Sequence, residues 1–62
     1  MPAQSQDPSR VITRALLEAR RRGLDSLGQT RWAVAEVLTV RPDMSTADAT
    51  RSVERAVRDM SA

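Results

Sequence analysis

The sequence contains no cysteine, no histidine and no lysine, and Trp32 is its only aromatic residue. Without thiols no disulfide can stabilise the fold, and a structural zinc site of the usual kind lacks both its thiolate and its imidazole ligands. The same absences remove cysteine nucleophiles and histidine general bases. We therefore expect neither a metal nor another cofactor, and hydrophobic packing must carry the fold.

The length of 62 residues leaves room for one small domain. A chain of this size buries only about 60% of the surface that its unfolded form exposes, so it is marginally stable alone. It also rarely encloses a pocket from which water is excluded. We therefore predict a protein that is not an enzyme and takes no small-molecule substrate, and whose core is completed by dimerisation or by a bound partner.

Long apolar runs are missing as well. No stretch approaches the roughly 20 apolar residues that span a bilayer, and the N-terminus lacks the apolar segment of a secretory signal. We accordingly expect a cytoplasmic protein with no membrane partner.

The basic residues are all arginines, and they are unevenly distributed around a net charge of +2. Six arginines stand against three acidic residues up to Arg31, whereas four stand against five from Trp32 onward. The densest positive charge is the run from Arg20 to Arg22. Such a run suits the phosphates of DNA and an acidic protein surface about equally well.

The hydrophobic pattern predicts an all-α protein, a three-helix bundle that is helix-turn-helix-like. In the first and third segments the apolar residues recur with the spacing of one helix face. This apolar stripe consists of Val11, Ile12, Ala15, Leu16 and Ala19 in the first segment, and of Ala49, Val53, Ala56, Val57 and Met60 in the third. We expect a flexible N-terminal tail over residues 1–7 and a single three-helix domain over residues 8–62. The predicted helices cover residues 8–22, 29–40 and 45–60.

Capping residues mark the ends of the first and third predicted helices. Asp7 is suited to cap the first helix, with Pro8 at its first helical position. Gly23 suits the left-handed position that follows a helix end. Ser45 or Thr46 is expected to cap the third helix.

The second predicted helix has several candidate caps and a distinctive composition. Ser26 and Gln29 have the spacing of a capping box, and Gly28 or Thr30 are alternative caps. Its segment WAVAEVLTV is apolar almost all the way round. That pattern is typical of a central helix contacted from two sides.

The short turn at residues 41–44 is typical of helix-turn-helix domains, whose third helix enters the major groove of DNA. Arginines in that position contact guanine edges and phosphates. The candidate contacts to DNA or to an acidic partner are Arg14, Arg20, Arg21, Arg22, Arg51, Arg55 and Arg58. The third helix also carries three acidic residues, which repel a polyanion. The alternative is a solvated face with ion pairs such as Glu54 with Arg58.

Residues 14–57 resemble the opening helices of winged-helix repressors of the ferric-uptake-regulator type. The resemblance lies in a leucine- and arginine-bearing first helix, an R-G-L connection, a second helix and a serine-started third helix. The matching residues of the second helix are Arg31, Ala33, Val34, Glu36, Val37 and Leu38. The resemblance implies a DNA-binding regulator. The metal-binding histidines and cysteines of that family are missing here, as are its recognition helix and wing, so it also implies a chain that does not read DNA in the family's manner.

Trp32 is the remaining singular residue. It is either an interface anchor, because tryptophan is enriched at binding hot spots, or the side chain that closes one edge of the core. Met44 and Met60 are expected to contact the core or cap it.

Two functions therefore stay open. The first is a DNA-binding, transcription-regulatory domain that binds as a homodimer. The second is a protein–protein interaction module, such as an adaptor, inhibitor or antitoxin-like partner. It would dock through its arginine-rich first helix or through the edge formed by Trp32.

Overall fold

The computed structural model describes residues 8–61, and these residues form three helices and no strand. The helices are α1 (Pro8–Arg21), α2 (Ser26–Val40) and α3 (Thr46–Ser61). Each helix packs against both others, with the most extensive contact between α1 and α2. The predicted three-helix bundle is confirmed. The predicted tail over residues 1–7, with the proposed cap at Asp7, lies outside the described residues.

Helix α1 ends in the turn that the sequence predicts. Gly23 has a φ of +80°, in the left-handed region that favours glycine. The Leu24 N–H donates to the Ala19 carbonyl at 3.1 Å, and the Gly23 N–H donates to the Arg20 carbonyl at 3.0 Å. These two bonds form a Schellman motif, which satisfies carbonyls that the helix itself leaves without partners.

Helix α2 begins at Ser26, three residues before the predicted start, and its predicted caps are wrong. The cap is Asp25, whose carboxylate accepts a hydrogen bond from the Gly28 N–H at 2.8 Å. Gln29 does not complete a capping box with Ser26, because its amide donates to the Leu24 carbonyl at 2.9 Å instead. An aspartate in extended conformation directly before the helix is the stronger acceptor for the free N–H groups.

Helix α3 starts as predicted. The Ser45 hydroxyl oxygen accepts a hydrogen bond from the Asp48 N–H at 3.1 Å, which confirms Ser45 as the cap. In the preceding turn, the Arg41 guanidinium donates to both carboxylate oxygens of Asp43, at 3.2 and 3.1 Å. The Met44 N–H donates to the Arg41 carbonyl at 3.0 Å, so the turn between α2 and α3 is closed by its own bonds.

The core is small and rich in alanine, and within residues 8–61 it contains no polar or charged residue. Eight hydrophobic residues are buried, four of which are alanines. They are Ile12, Ala15, Leu16, Ala19, Ala33, Val37, Ala49 and Val53. Only two of these belong to α2, although that helix is the most apolar.

The two methionines that were predicted to contact or cap the core differ in their exposure. Met44 packs against the core cluster, as predicted. Met60 is 50% exposed and lines a cavity with the buried Leu16, so it borders the core without being buried in it. Ala56 is the last half-buried residue of α3 that packs against the cluster, and Met60 follows one turn further along the helix.

Candidate interaction surfaces

The arginine run at the end of α1 does not form a single patch. Successive residues of an α-helix point about 100° apart, so Arg20, Arg21 and Arg22 fan out over more than half of the helix circumference. Arg22 and Arg21 both pair with Glu18, at 3.1 and 3.6 Å. Arg20 makes no ion pair within residues 8–61 and lines a cavity between α1 and α3.

Trp32 lies on the opposite side of α1 from that cavity. Its ring is half-buried, packs against the core cluster and lines a cleft with Val11 and Ala15 of α1. The Arg22 guanidinium carbon lies 4.8 Å from the centroid of the Trp32 ring. The ring therefore sits at the edge of the core beneath an arginine, and its role as an interface anchor stays a prediction.

The predicted arginine row of α3 is only partly neutralised. Arg51 pairs with Asp48 at 3.3 Å. Arg55 and Arg58 make no ion pair with any described residue, and the predicted pair between Glu54 and Arg58 is not formed. The helix thus presents free charge of both signs.

A first exposed apolar surface joins α1 to α3. Leu17, Val57 and Met60 are 49%, 36% and 50% exposed, and they line one cavity of about 170 Å³ together with Arg20. Leu17 also lines a shallow depression along α1, whose other walls include Arg10 and Arg14. No acidic side chain lines either concavity. We call this the α1–α3 face, defined by Arg10, Arg14, Leu17, Arg20, Val57 and Met60.

A second apolar surface lies between α2 and α3. Leu27 is 61% exposed there, and Val34 and Leu38 are half-buried. Arg31 and Glu54 are the charged residues lining this groove. The groove measures about 460 Å³, and we call it the α2–α3 groove, defined by Leu27, Thr30, Arg31, Val34, Ala35, Leu38, Thr46, Thr50 and Glu54.

The sequence prediction named Arg14 and Arg20 as contacts, but neither the other arginines of these surfaces nor their apolar centres. Leu17 falls outside the apolar stripe of α1 and stands among arginines, and this placement is the signal that would have identified it. Val57 and Met60 follow the spacing of the α3 stripe, so nothing in the pattern distinguishes them from core residues. Their exposure depends on where the neighbouring helices end.

Within residues 8–61, no group of acidic side chains is arranged to hold a metal ion. No helix in that range is long and apolar enough to cross a membrane. The hydrogen bond from Arg41 lowers the pKa of Asp43, helped by a bond from the backbone of Asp43 itself, but both side chains lie in the exposed turn before α3.

The geometry defines a small helical bundle with two exposed apolar surfaces of different charge. Comparison of the chain with protein-family models, with curated proteins and with solved structures finds no match. The resemblance to ferric-uptake-regulator repressors stays a prediction, and the function has to be argued from the surfaces themselves.

Proposed function

We propose that this protein is a non-enzymatic interaction module that binds an acidic, amphipathic helix of another protein through the α1–α3 face. The observation that carries the proposal is the exposure of Leu17, Val57 and Met60 side by side, with only arginines as charged neighbours in the two concavities. This form of docking is the insertion of the apolar side of a helix into a groove between two others.

The apolar centre supplies the affinity. Each of its three side chains is already partly buried, so full coverage by a partner adds about 1 kcal/mol for each of them. Clustered apolar contacts at the middle of an interface carry most of the binding energy in known complexes. Leu17, which reaches both concavities, is the contact that the partner is expected to cover most completely.

The charged rim selects the partner. Arg10, Arg14 and Arg20 have no ion-pair partner among the described residues, so their charges are available to acidic groups. A second copy of the same face would set these arginines against each other, which disfavours self-pairing here. Duplex DNA would leave the three apolar side chains without contact. An acidic amphipathic helix matches both parts of the α1–α3 face, because its apolar side covers the three apolar side chains and its acidic groups pair with the arginines.

The proposal is tested with a synthetic peptide helix that has leucines along one face and glutamates on both flanks. A fluorescent label and an anisotropy titration at low salt give the dissociation constant. We expect binding that weakens at high salt, because rim charges are screened. A peptide with lysines in place of the glutamates is the matched ligand control, and it should bind at least tenfold more weakly.

Variants of the protein locate the site. Leu17→Ser is expected to weaken peptide binding by about tenfold or more, and Arg20→Glu by several-fold. Arg58→Glu makes the same charge change at an unpaired arginine outside the face, and it should leave binding unchanged. Equal effects of Arg20→Glu and Arg58→Glu, or a peptide that does not bind, would contradict the proposal.

A second candidate function is DNA binding of the helix-turn-helix type. The observation that favours it is the pair of unpaired arginines on α3, Arg55 and Arg58, on the helix that follows the closed turn at Arg41. Titration with a mixed-sequence duplex at low and moderate salt tests it, because phosphate contacts make the affinity fall steeply with salt. Substitution of both arginines by glutamine should reduce that salt dependence, and absence of binding at low salt excludes this candidate.

A further inference from the structure

We propose that the α2–α3 groove is the interface of a homodimer, in which a twofold axis places Arg31 of one copy against Glu54 of the other. This inference concerns a different surface from the α1–α3 face and does not depend on the function proposed for it. The occupant of the groove is a second copy of this chain.

The apolar excess of α2 is the first argument. This helix is apolar almost all the way round, yet only Ala33 and Val37 are buried by α1 and α3. Leu27 remains 61% exposed at the end of the groove. An isolated exposed leucine is ordinary, but here it continues a surface that already includes Val34 and Leu38. The sequence of α2 therefore provides more apolar surface than one bundle covers.

The charges of the groove are self-complementary. Arg31 belongs to α2 and Glu54 to α3, so the two walls carry opposite signs, and neither side chain has an ion-pair partner within residues 8–61. In a twofold interface, a contact between residue i and residue j occurs twice. One axis through the groove would therefore form two pairs between Arg31 and Glu54 and leave neither charge unmatched.

The remaining lining is also compatible with a second copy. The other polar residues of the groove are threonines, which carry no charge. The small alanine-rich core gives the single bundle little stability of its own, so coverage of a further apolar surface would stabilise it. The α1–α3 face has no such symmetry of charge, because the charged residues of its concavities are all arginines.

Charge exchange tests this arrangement. Sedimentation equilibrium over a range of concentrations is measured for the original chain, for Arg31→Glu, for Glu54→Arg and for the chain that carries both. We expect a reversible dimer for the original chain and a dissociation constant raised by about tenfold in each single variant, because each brings like charges together twice. The double variant restores opposite signs at the interface, and its dissociation constant should return to near the original.

Two leucine variants separate the groove from the other surface. Leu27→Ser is expected to weaken the dimer, whereas Leu17→Ser, at a comparably exposed leucine of the α1–α3 face, should leave it intact. Every substituted side chain is exposed, so we expect all variants to keep their helices. Circular dichroism verifies this.

Several results would overturn the inference. They are a chain that is monomeric at every concentration, single variants that dimerise as the original does, and a double variant that stays as weak as the single ones. A monomer that binds the acidic peptide or duplex DNA through Leu27 would assign the groove to that ligand instead. Failure of the peptide to bind the α1–α3 face does not alter any of these measurements, so the two proposals fail independently.

Discussion

Arg22 stacks over Trp32, with its guanidinium carbon 4.8 Å from the ring centroid, and so joins the end of α1 to the first half of α2. The same guanidinium also donates a hydrogen bond to the Glu18 carboxylate at 3.1 Å. A cation over an indole face is attracted by the electrons of the ring, and an arginine in addition covers the apolar ring with its own plane. The only aromatic side chain of the protein is therefore packed against the core and partly covered by an arginine.

Replacing Arg22 by alanine should destabilise the fold by about 0.5–1 kcal/mol, the usual contribution of a cation–π contact at an exposed site. Urea unfolding measures the loss, and the emission of Trp32 should shift to longer wavelength as water reaches the ring. Arg21→Ala is the matched control, because Arg21 also pairs with Glu18 but does not touch the ring. Equal losses for the two variants would show that the ion pair, and not the stacking, is responsible.

Trp32→Ala should cost about 2 kcal/mol, because a half-buried aromatic ring is removed from the edge of a small core. Since a domain of this size has only about 3–5 kcal/mol of stability, we expect a clear fall in the melting temperature followed by circular dichroism. Trp32→Phe retains most of the apolar contact, so its melting temperature should lie between those of the original chain and Trp32→Ala. A variant with unchanged melting temperature would instead support the prediction that Trp32 is an interface anchor.

Removal of the α2 cap by Asp25→Ala should destabilise the protein by about 1 kcal/mol, because the N–H of Gly28 loses its acceptor. Asp25→Asn keeps an oxygen in the same position and should cost much less. Ser26→Ala tests the capping residue that the sequence suggested, and it should have little effect. The free energy of unfolding of the three variants decides between the two caps.

The pKa of Asp43 is expected to lie below that of an ordinary aspartate, chiefly because Arg41 donates a hydrogen bond to the carboxylate. A folded-state pKa below the unfolded one gives stability that is present above the unfolded pKa and is lost as the pH falls through the folded value. The effect on stability is small, since both side chains are exposed to water. Titration of the Asp43 carboxyl by NMR should show a higher midpoint in Arg41→Gln, and no change in Arg58→Gln.

The sequence predicts the bundle better than it predicts the surfaces. Gly23 and Ser45 mark helix ends because their local chemistry, a left-handed turn and a hydroxyl cap, does not depend on distant contacts. Helix α2 starts earlier than predicted because the N–H of Gly28, one of the predicted caps, is instead the donor to the Asp25 cap.

The apolar surfaces were missed for a different reason. The spacing of Val57 and Met60 places them on the core side of α3, and periodicity cannot show that the neighbouring helices leave them partly uncovered. Leu17 is the exception, because the sequence alone shows that it falls outside the apolar stripe of α1. A comparison of each apolar residue with the stripe of its own helix would thus have found one part of the α1–α3 face.

The four alanines among the eight buried residues limit how this protein can vary. A methyl side chain loses no rotamer freedom on burial and keeps the neighbouring backbones near one another. A larger residue at Ala19, Ala33 or Ala49, none of which has exposed surface, would force neighbouring side chains or backbone to shift. Interior positions of this bundle therefore limit side-chain size, so that even a buried methyl group is a site where enlargement is costly.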